Sequence, residues 1–221
     1  MKITISYAQT LDGRIATRTG DSQWIGGPES LRVAHQLRAT HDAVLVGVGT
    51  IVTDNPRLTT RLVEGPSPVR VVADSGLRIP LSASILHDGA ARTLLATTQR
   101  TDPDRAQALR SVGVEVMVVA GDARGRVDLH DLVRRLESMG IGSILVEGGA
   151  AIITSILRAG LADRMVVCVA PRVVGAGIEA VGDLGIQRLQ DALSLANVKV
   201  IACGSDLILD GELAGIASLA G

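Results

Sequence analysis

Ser143-Ile144-Leu145-Val146-Glu147-Gly148-Gly149-Ala150-Ala151 is a short apolar run that ends in one carboxylate and two glycines, with a helical pattern starting at once. That order predicts a strand feeding straight into a helix, the building unit of an α/β fold. It sets backbone N–H groups at the mouth of the strand, where a helix N-terminus attracts phosphate. Gly148 and Gly149 would let a phosphate come close to the main chain. The Glu147 carboxylate would repel that anion, so it is read as facing a second ligand, neutral or hydroxylated. The plainer alternative is a strand-to-helix turn whose glycines serve tight packing. The local pattern leaves both readings open.

Outward from this corner, strand and helix patterns alternate, which argues for a largely parallel sheet. Strands are expected at Ile3–Ala8, Ala43–Val46, Val69–Ala73, Thr93–Ala96, Val114–Val119, Ser143–Val146, Met165–Ala170, Val198–Ala202 and Leu207–Asp210. Helical spacing covers Glu29–Ala39, Asp102–Val112, Asp128–Met139 and Ala150–Ala159. Pro28 just inside the first helix and Asp128 as an N-cap mark two of the starts. Gly113, Gly140 and Gly160 follow helix ends, where positive φ is wanted. The last two strands, joined by Cys203-Gly204-Ser205-Asp206, read as an antiparallel hairpin on the sheet edge. No linker, repeat or low-complexity tract interrupts the 221 residues, so a single domain is expected, with a loose tail from about 212 to 221.

Composition narrows the function. A net charge of −1 offers no basic field for a nucleic-acid backbone. With no Phe, one Tyr and one Trp, the core must be aliphatic, and base-stacking platforms are excluded. No apolar run reaches bilayer length, and Met1-Lys2-Ile3-Thr4-Ile5-Ser6 reads as a strand, not a signal peptide, so no membrane role and a cytoplasmic location are expected. Cys168 and Cys203 lie in strand runs without metal-type spacing to each other or to the histidines, so they are read as buried free thiols and no metal site is assigned.

Several short segments could carry chemistry. Gly47–Asp54 reads as a strand end, a turn and one or two helical turns, with Thr50 offering a hydroxyl and Asp54 an acceptor for ribose. The alternative is that both residues cap a short helix before Pro56. Arg38 and Arg61 flank this segment, and a guanidinium pair converging on one pocket suits a phosphate or carboxylate. Ser22 and Trp24 share a polar, glycine-flanked loop. There the indole could wall a planar ring or plug the sheet edge. Asp74-Ser75 follows a strand at its carboxyl end, where α/β ligands gather, or forms an Asx-type turn into Gly76. The first strand is not followed by G-x-G-x-x-G, and no G-x-S-x-G, HExxH, CxxC or P-loop occurs. What remains is ligand positioning with few acid–base groups, as expected when a bound cofactor carries the reaction.

Together these segments closely resemble the riboflavin-pathway pyrimidine reductases, both the reductase domain fused behind a bacterial deaminase and the stand-alone archaeal and fungal enzymes. The matching stretches, in family order over about residues 1–185, are Thr10–Ala16, Gly20–Ile25, His35–Arg38, Asp42–Thr50, Asp54–Thr59, Pro68–Ser75, Leu145–Gly149 and Ala170–Gly175. The resemblance implies a dihydrofolate-reductase-like three-layer fold, with a mixed, mostly parallel sheet, helices on both faces and a homodimer. It implies a dinucleotide against Ala8, Trp24, Thr50, Asp54, Ser75, Gly148 and the glycine-led turn that runs from Gly149 through Ala150 and Ala151 to about Ser155. It places a phosphoribosylaminopyrimidine against Ser22, Arg38, Leu58, Arg61 and Glu147. The implied reaction is reduction of a ribosylamino group to ribitylamino, with NADPH delivering hydride to the anomeric carbon of the opened sugar and NADH as the other donor left open. Glu147 and Asp12 are the carboxylates weighed as proton donor, beside ordered water. Ser75 and Arg78 are the candidate partners of a 2′-phosphate.

Two departures stand out. No cytidine-deaminase-type zinc motif precedes the reductase region, so no deaminase domain is expected. Ala150-Ala151 stands where a third glycine or a hydroxyl residue is common, which removes a side-chain bond to phosphate. The resemblance implies as substrate either 2,5-diamino-6-ribosylamino-4(3H)-pyrimidinone 5′-phosphate or 5-amino-6-(5-phosphoribosylamino)uracil. Competing readings are a related reductase of another pteridine-like or secondary-metabolite substrate, and a non-catalytic nucleotide-binding module.

Overall fold

The computed structural model of the protein describes residues 1–214. In chain order its strands are β1 (Lys2–Thr10), β2 (Arg14–Thr17), β3 (Ala43–Gly47), β4 (Val69–Ala73), β5 (Thr93–Thr98), β6 (Glu115–Val119), β7 (Ser143–Glu147), β8 (Arg164–Ala170), β9 (Gly177–Glu179), β10 (Leu195–Cys203) and β11 (Asp206–Leu213). The helices are α1 (Pro28–Ala39), α2 (Val48–Asp54), α3 (Pro103–Ser111), α4 (Leu129–Ser138) and α5 (Ala150–Arg158). The described chain divides into two compact units, one of Met1 with Gln36–Ile144 and one of Lys2–His35 with the chain from Leu145 onward.

In the first unit, β3, β4, β5 and β6 pair in that order, all parallel. Their sequences read as near-continuous aliphatic runs because parallel strands are covered on both faces. Val44, Leu45 and Val46 of β3 and Val71 and Val72 of β4 are fully buried, as are Leu95 and Ala96 of β5. Val44, Val46, Val72 and Leu95 share one core cluster with Ile51 of α2, Leu58, Leu77 and Leu109 of α3. Helix starts follow local chemistry. Asp102 accepts from Asp104 N with Pro103 in the first turn of α3, and Asp128 accepts from Asp131 N at α4. Gly113 and Gly140 take φ of 84° each after those helices, as their spacing predicts.

The second unit mixes directions. β1 and β8 are parallel, β8 and β11 antiparallel, and β11 and β10 form the antiparallel C-terminal hairpin. Both hairpin strands are longer than the sequence pattern indicates. Glu212 and Leu213 belong to β11, so the loose tail expected from 212 does not begin there, and 215–221 lie outside the described residues. β2 and β9 form a separate two-stranded antiparallel pair that the sequence reading does not anticipate. Cys168 is buried in β8 as expected, but Cys203 at the end of β10 is only half-buried, because the hairpin's outer strand is covered on neither side along most of its length. The class is α/β with mixed, mostly parallel pairing.

Candidate functional site

In the first unit Thr50, Asp54 and Ser75 follow the carboxyl ends of β3 and β4, where chain turns outward from the sheet, whereas Arg38 and Arg61 lie on the segments that lead into β3 and β4. β3 ends at Gly47, which opens α2 without a side-chain cap, and Asn55 in the left-handed region (φ 41°) closes it. Thr50 and Asp54 therefore cap neither end, which removes the capping alternative for both. They stand four residues apart on one face of α2, and neither side chain has a hydrogen-bond partner among the described residues. Burial raises the Asp54 carboxyl above its usual value although the side chain still reaches solvent.

Asn55–Thr59 then folds back. Leu58 has φ 55° and is 2% exposed, its side chain sunk into the core beside Ile51. Whatever Leu58 offers a ligand is main chain, since its side chain is spent on packing. The bend at Leu58 presents Thr59 to both expected arginines. Arg38 Nη1 donates to the Thr59 carbonyl at 3.1 Å, and Arg61 Nη1 donates to Thr59 Oγ1 at 2.8 Å. Two guanidinium groups, 23 residues apart in sequence, thus meet around one residue, the arrangement that suits a phosphate.

After β4, Asp74 is fully buried and its Oδ2 accepts from Ile79 N at 2.8 Å, while Leu77 N bonds back to the Asp74 carbonyl. The Asx-type turn is therefore present. Ser75 sits on it with its Oγ accepting from Val127 N at 2.9 Å, which leaves the hydroxyl proton for a ligand. Arg78, three residues further on, is exposed.

In the second unit, β7 ends on Glu147, which is half-buried, and Gly148 and Gly149 follow with φ of 74° and 83°. Both dihedrals need glycine. Gly149 begins α5 with no side-chain cap, so the first turn of a nine-residue helix is left to main-chain or ligand partners. Thr154 Oγ1 donates to the Ala150 carbonyl and accepts from Gly182 N at 2.8 Å, tying the loop before the hairpin to this turn. The uncapped turn and its glycines fit the anionic linkage of a dinucleotide.

Ser22 and Trp24 line one cavity of about 100 Å³ with Thr10, Arg172 and Val174. Trp24 is 63% exposed, so it is a wall at an opening and not a plug over the sheet. The loop is anchored just beyond. Asp206, 2% exposed, accepts from Gly27 N at 2.7 Å and Ser30 Oγ at 2.5 Å at the start of α1. Burial alone would raise the Asp206 carboxyl, but these bonds outweigh it and hold it below its usual value. Ala8 lies half-buried on β1.

Asp12 has another occupation. It accepts from Thr10 Oγ1 at 2.6 Å and from Gly175 N at 2.6 Å, with Val174 N at 3.2 Å. The Thr10 hydroxyl first, and then the Gly175 N–H, lower its carboxyl to about 2. A carboxylate this acidic is ionised at neutral pH and has no proton to give. Its geometry is that of a clasp on the loop after β8.

Sequence reasoning passed over Arg172, Asp206 and Arg100. Arg172 lies within the matching stretch Ala170–Gly175 but is given no role there, and Asp206 carries no motif of its own. Arg100 follows β5 just as Ser75 follows β4, so the carboxyl-end rule that flagged Ser75 could have found it.

The chain is similar to known proteins over nearly its whole length. The chain is 42% identical over 219 residues to the 2,5-diamino-6-ribosylamino-4(3H)-pyrimidinone 5′-phosphate reductase of Methanothermobacter thermautotrophicus, covering 96% of this chain and 98% of that protein. It is 40% identical to the riboflavin biosynthesis protein RibD of Aquifex aeolicus over 94% of its length, but spans only 56% of that relative. Among solved structures, RibD of Acinetobacter baumannii superposes with a TM-score of 0.83 at 26% identity, over 97% of this chain and 58% of that one. A dihydrofolate reductase from Enterococcus faecalis shares the fold, with a TM-score of 0.52 at 11% identity over 96% of each chain. The family model of the RibD C-terminal domain matches residues 1–209. The chain belongs to the RibD C-terminal domain family.

Proposed function

We propose that this protein is an NADPH-dependent reductase that converts the ribosylamino group of 2,5-diamino-6-ribosylamino-4(3H)-pyrimidinone 5′-phosphate to ribitylamino. The observation that carries the reading is the 42% identity to the Methanothermobacter reductase across 98% of that protein's length. The site supports it. Arg38 and Arg61, converging at Thr59, take the substrate phosphate. Ser22 and the main chain at Leu58 orient the pyrimidine, and Glu147 faces the sugar hydroxyls. The dinucleotide belongs with Ala8, Trp24, Thr50, Asp54 and Ser75, and with Gly148, Gly149, Ala150 and Ala151 at the start of α5.

When bound, the dinucleotide supplies hydride for the opened sugar carbon, and the protein supplies proximity and orientation. Asp12 cannot be the proton source, and we assign it the positioning of the 174–175 main chain. The proton that completes the reduction comes from water held at Glu147. We also propose that the two units work as a single reductase domain, and that the enzyme is a cytoplasmic homodimer. Among the described residues the outer strand β10 pairs only with β11 and exposes Val198, Val200 and Ile201, an apolar face suited to a second copy. Both cysteines are free, which suits a reducing compartment.

The test mixes purified protein with NADPH and, separately, the diamino-pyrimidinone and the amino-uracil substrates, following NADPH absorbance. Oxidation that is faster with the diamino substrate is expected. No oxidation with either substrate would refute the assignment, whereas preference for the amino-uracil would correct the substrate alone.

A further inference from the structure

Beyond the residues assigned above, the first unit carries a cleft of about 350 Å³ at the carboxyl ends of β5 and β6, lined by Thr98, Gln99, Arg100, Ala120, Gly121 and Gly125, with Asp122. Its volume is in the range of small-molecule sites. Its charge is unbalanced in a specific way. Asp122 is fully engaged: Oδ1 accepts the N–H groups of Arg124 and Arg126, and Oδ2 accepts Nε and Nη2 of Arg126 at 3.0 and 2.9 Å. Arg126 therefore neutralises the only acid in the lining. Arg100, by contrast, has no ion-pair or hydrogen-bond partner among the described residues. The cleft thus presents one uncompensated guanidinium.

That guanidinium is held in position by shape. It lies across the 121–125 turn, and a Cβ at Gly125 would collide with it. Gly125 also takes φ 73°, so both its conformation and its bareness serve the approach. The cleft is joined to Ser75 by a compact network. Thr97 and Thr98 each donate a hydroxyl to the Ser75 carbonyl at 3.2 Å, and Val127 N, on the other rim, donates to Ser75 Oγ. A ligand touching the Ser75 hydroxyl would therefore lie on the network that Thr98 carries to the cleft, which Arg100 lines and Arg78 does not.

We propose that this cleft receives the adenosine end of the dinucleotide and that Arg100 is the residue that distinguishes a 2′-phosphate from a 2′-hydroxyl. The proposal rests on the dinucleotide reading above and moves the phosphate partner from Arg78 to Arg100. A 2′-phosphate is a dianion that a planar guanidinium binds by charge-assisted bonds, whereas a neutral hydroxyl gains little from it.

Calorimetric titration tests it without turnover, using NADPH, NADH and 2′,5′-ADP on the wild type, Arg100→Gln and Arg100→Lys. Arg100 is exposed and makes no bond, so both variants should keep the wild-type thermal midpoint. Arg100→Gln should weaken NADPH and 2′,5′-ADP about 10- to 100-fold and leave NADH within about 3-fold, the loss of one charge-assisted contact. Arg100→Lys should fall between. A preference for NADPH that survives in Arg100→Gln overturns the proposal while the cofactor reading stands. Equal weakening of NADPH and NADH overturns it as well, and so does a wild type without preference. A wild type that binds neither dinucleotide removes the cofactor reading itself.

Discussion

Replacing Asp206 should show how firmly the Ser22–Trp24 loop is tied to the hairpin. Asp206→Ala deletes two short bonds to a buried carboxylate, from Gly27 N at 2.7 Å and from Ser30 Oγ at 2.5 Å. Ser205 Oγ at 3.3 Å and Cys168 Sγ at 3.6 Å add weaker contacts. Hydrogen bonds to a charged group contribute about 1.5–3 kcal/mol each, so the two short ones represent about 3–6 kcal/mol. Ser30 is 6% exposed and would lose its acceptor, whereas water can reach part of the gap at half-buried Gly27. The expected loss is about 3 kcal/mol, and about 1–2 kcal/mol for Asp206→Asn, which keeps one oxygen acceptor. Urea unfolding followed by far-UV circular dichroism measures it. The pH dependence supplies a second check. The folded-state value of Asp206 is depressed, so its stabilisation is present above the unfolded value of about 3.9 and is lost as pH falls through the folded value. The wild type should therefore lose stability in acid more steeply than Asp206→Asn. A change below about 1 kcal/mol for Asp206→Ala would refute the reasoning, because two buried charge-assisted bonds cannot be so cheap to remove.

Arg61→Ala should raise KM for the pyrimidine substrate about 10- to 100-fold, one charge-assisted contact to phosphate, and leave NADPH affinity within about 3-fold. Equal losses of both in steady-state and binding assays would show that Arg61 serves the dinucleotide. Asp12→Asn should lower kcat/KM without altering the shape of its pH profile, since the wild-type carboxyl at about 2 has no ionisation near neutrality to lose. Disappearance of a limb between about pH 5 and 8 would instead make Asp12 a proton carrier.

Much of the fold is legible because its cues are local. Aliphatic runs mark the buried parallel strands, Asp102 and Asp128 cap α3 and α4, and Gly113, Gly140 and Gly160 take the positive φ that helix ends require. β2 and β9 escape because Arg14–Thr17 and Gly177–Glu179 are short, and each becomes a strand only through the other, about 160 residues away. The site divides in the same way. Gly148 and Gly149 declare themselves by composition, but the meeting of Arg38 and Arg61 depends on a backward bend at Leu58 that no rule for a leucine foretells. Asp206 reads as a turn residue of the hairpin, and only its burial beside Ser30 reveals a structural anion. Asp12 was conspicuous as a carboxylate in a motif, yet its bonds make it a clasp.

The chain's single tryptophan gives it a built-in optical reporter. Trp24 is already 63% exposed and lines the opening beside Ser22. There is no second indole, and the one other emitter, Tyr7, is avoided by exciting at the red edge of the indole band. Intrinsic fluorescence should therefore register ligand arrival at that one loop, through quenching or a blue shift, while remaining nearly silent to global unfolding. A fluorescence melt would describe the loop and a circular-dichroism melt the fold, and a ligand that moves one signal without the other can be located from the difference.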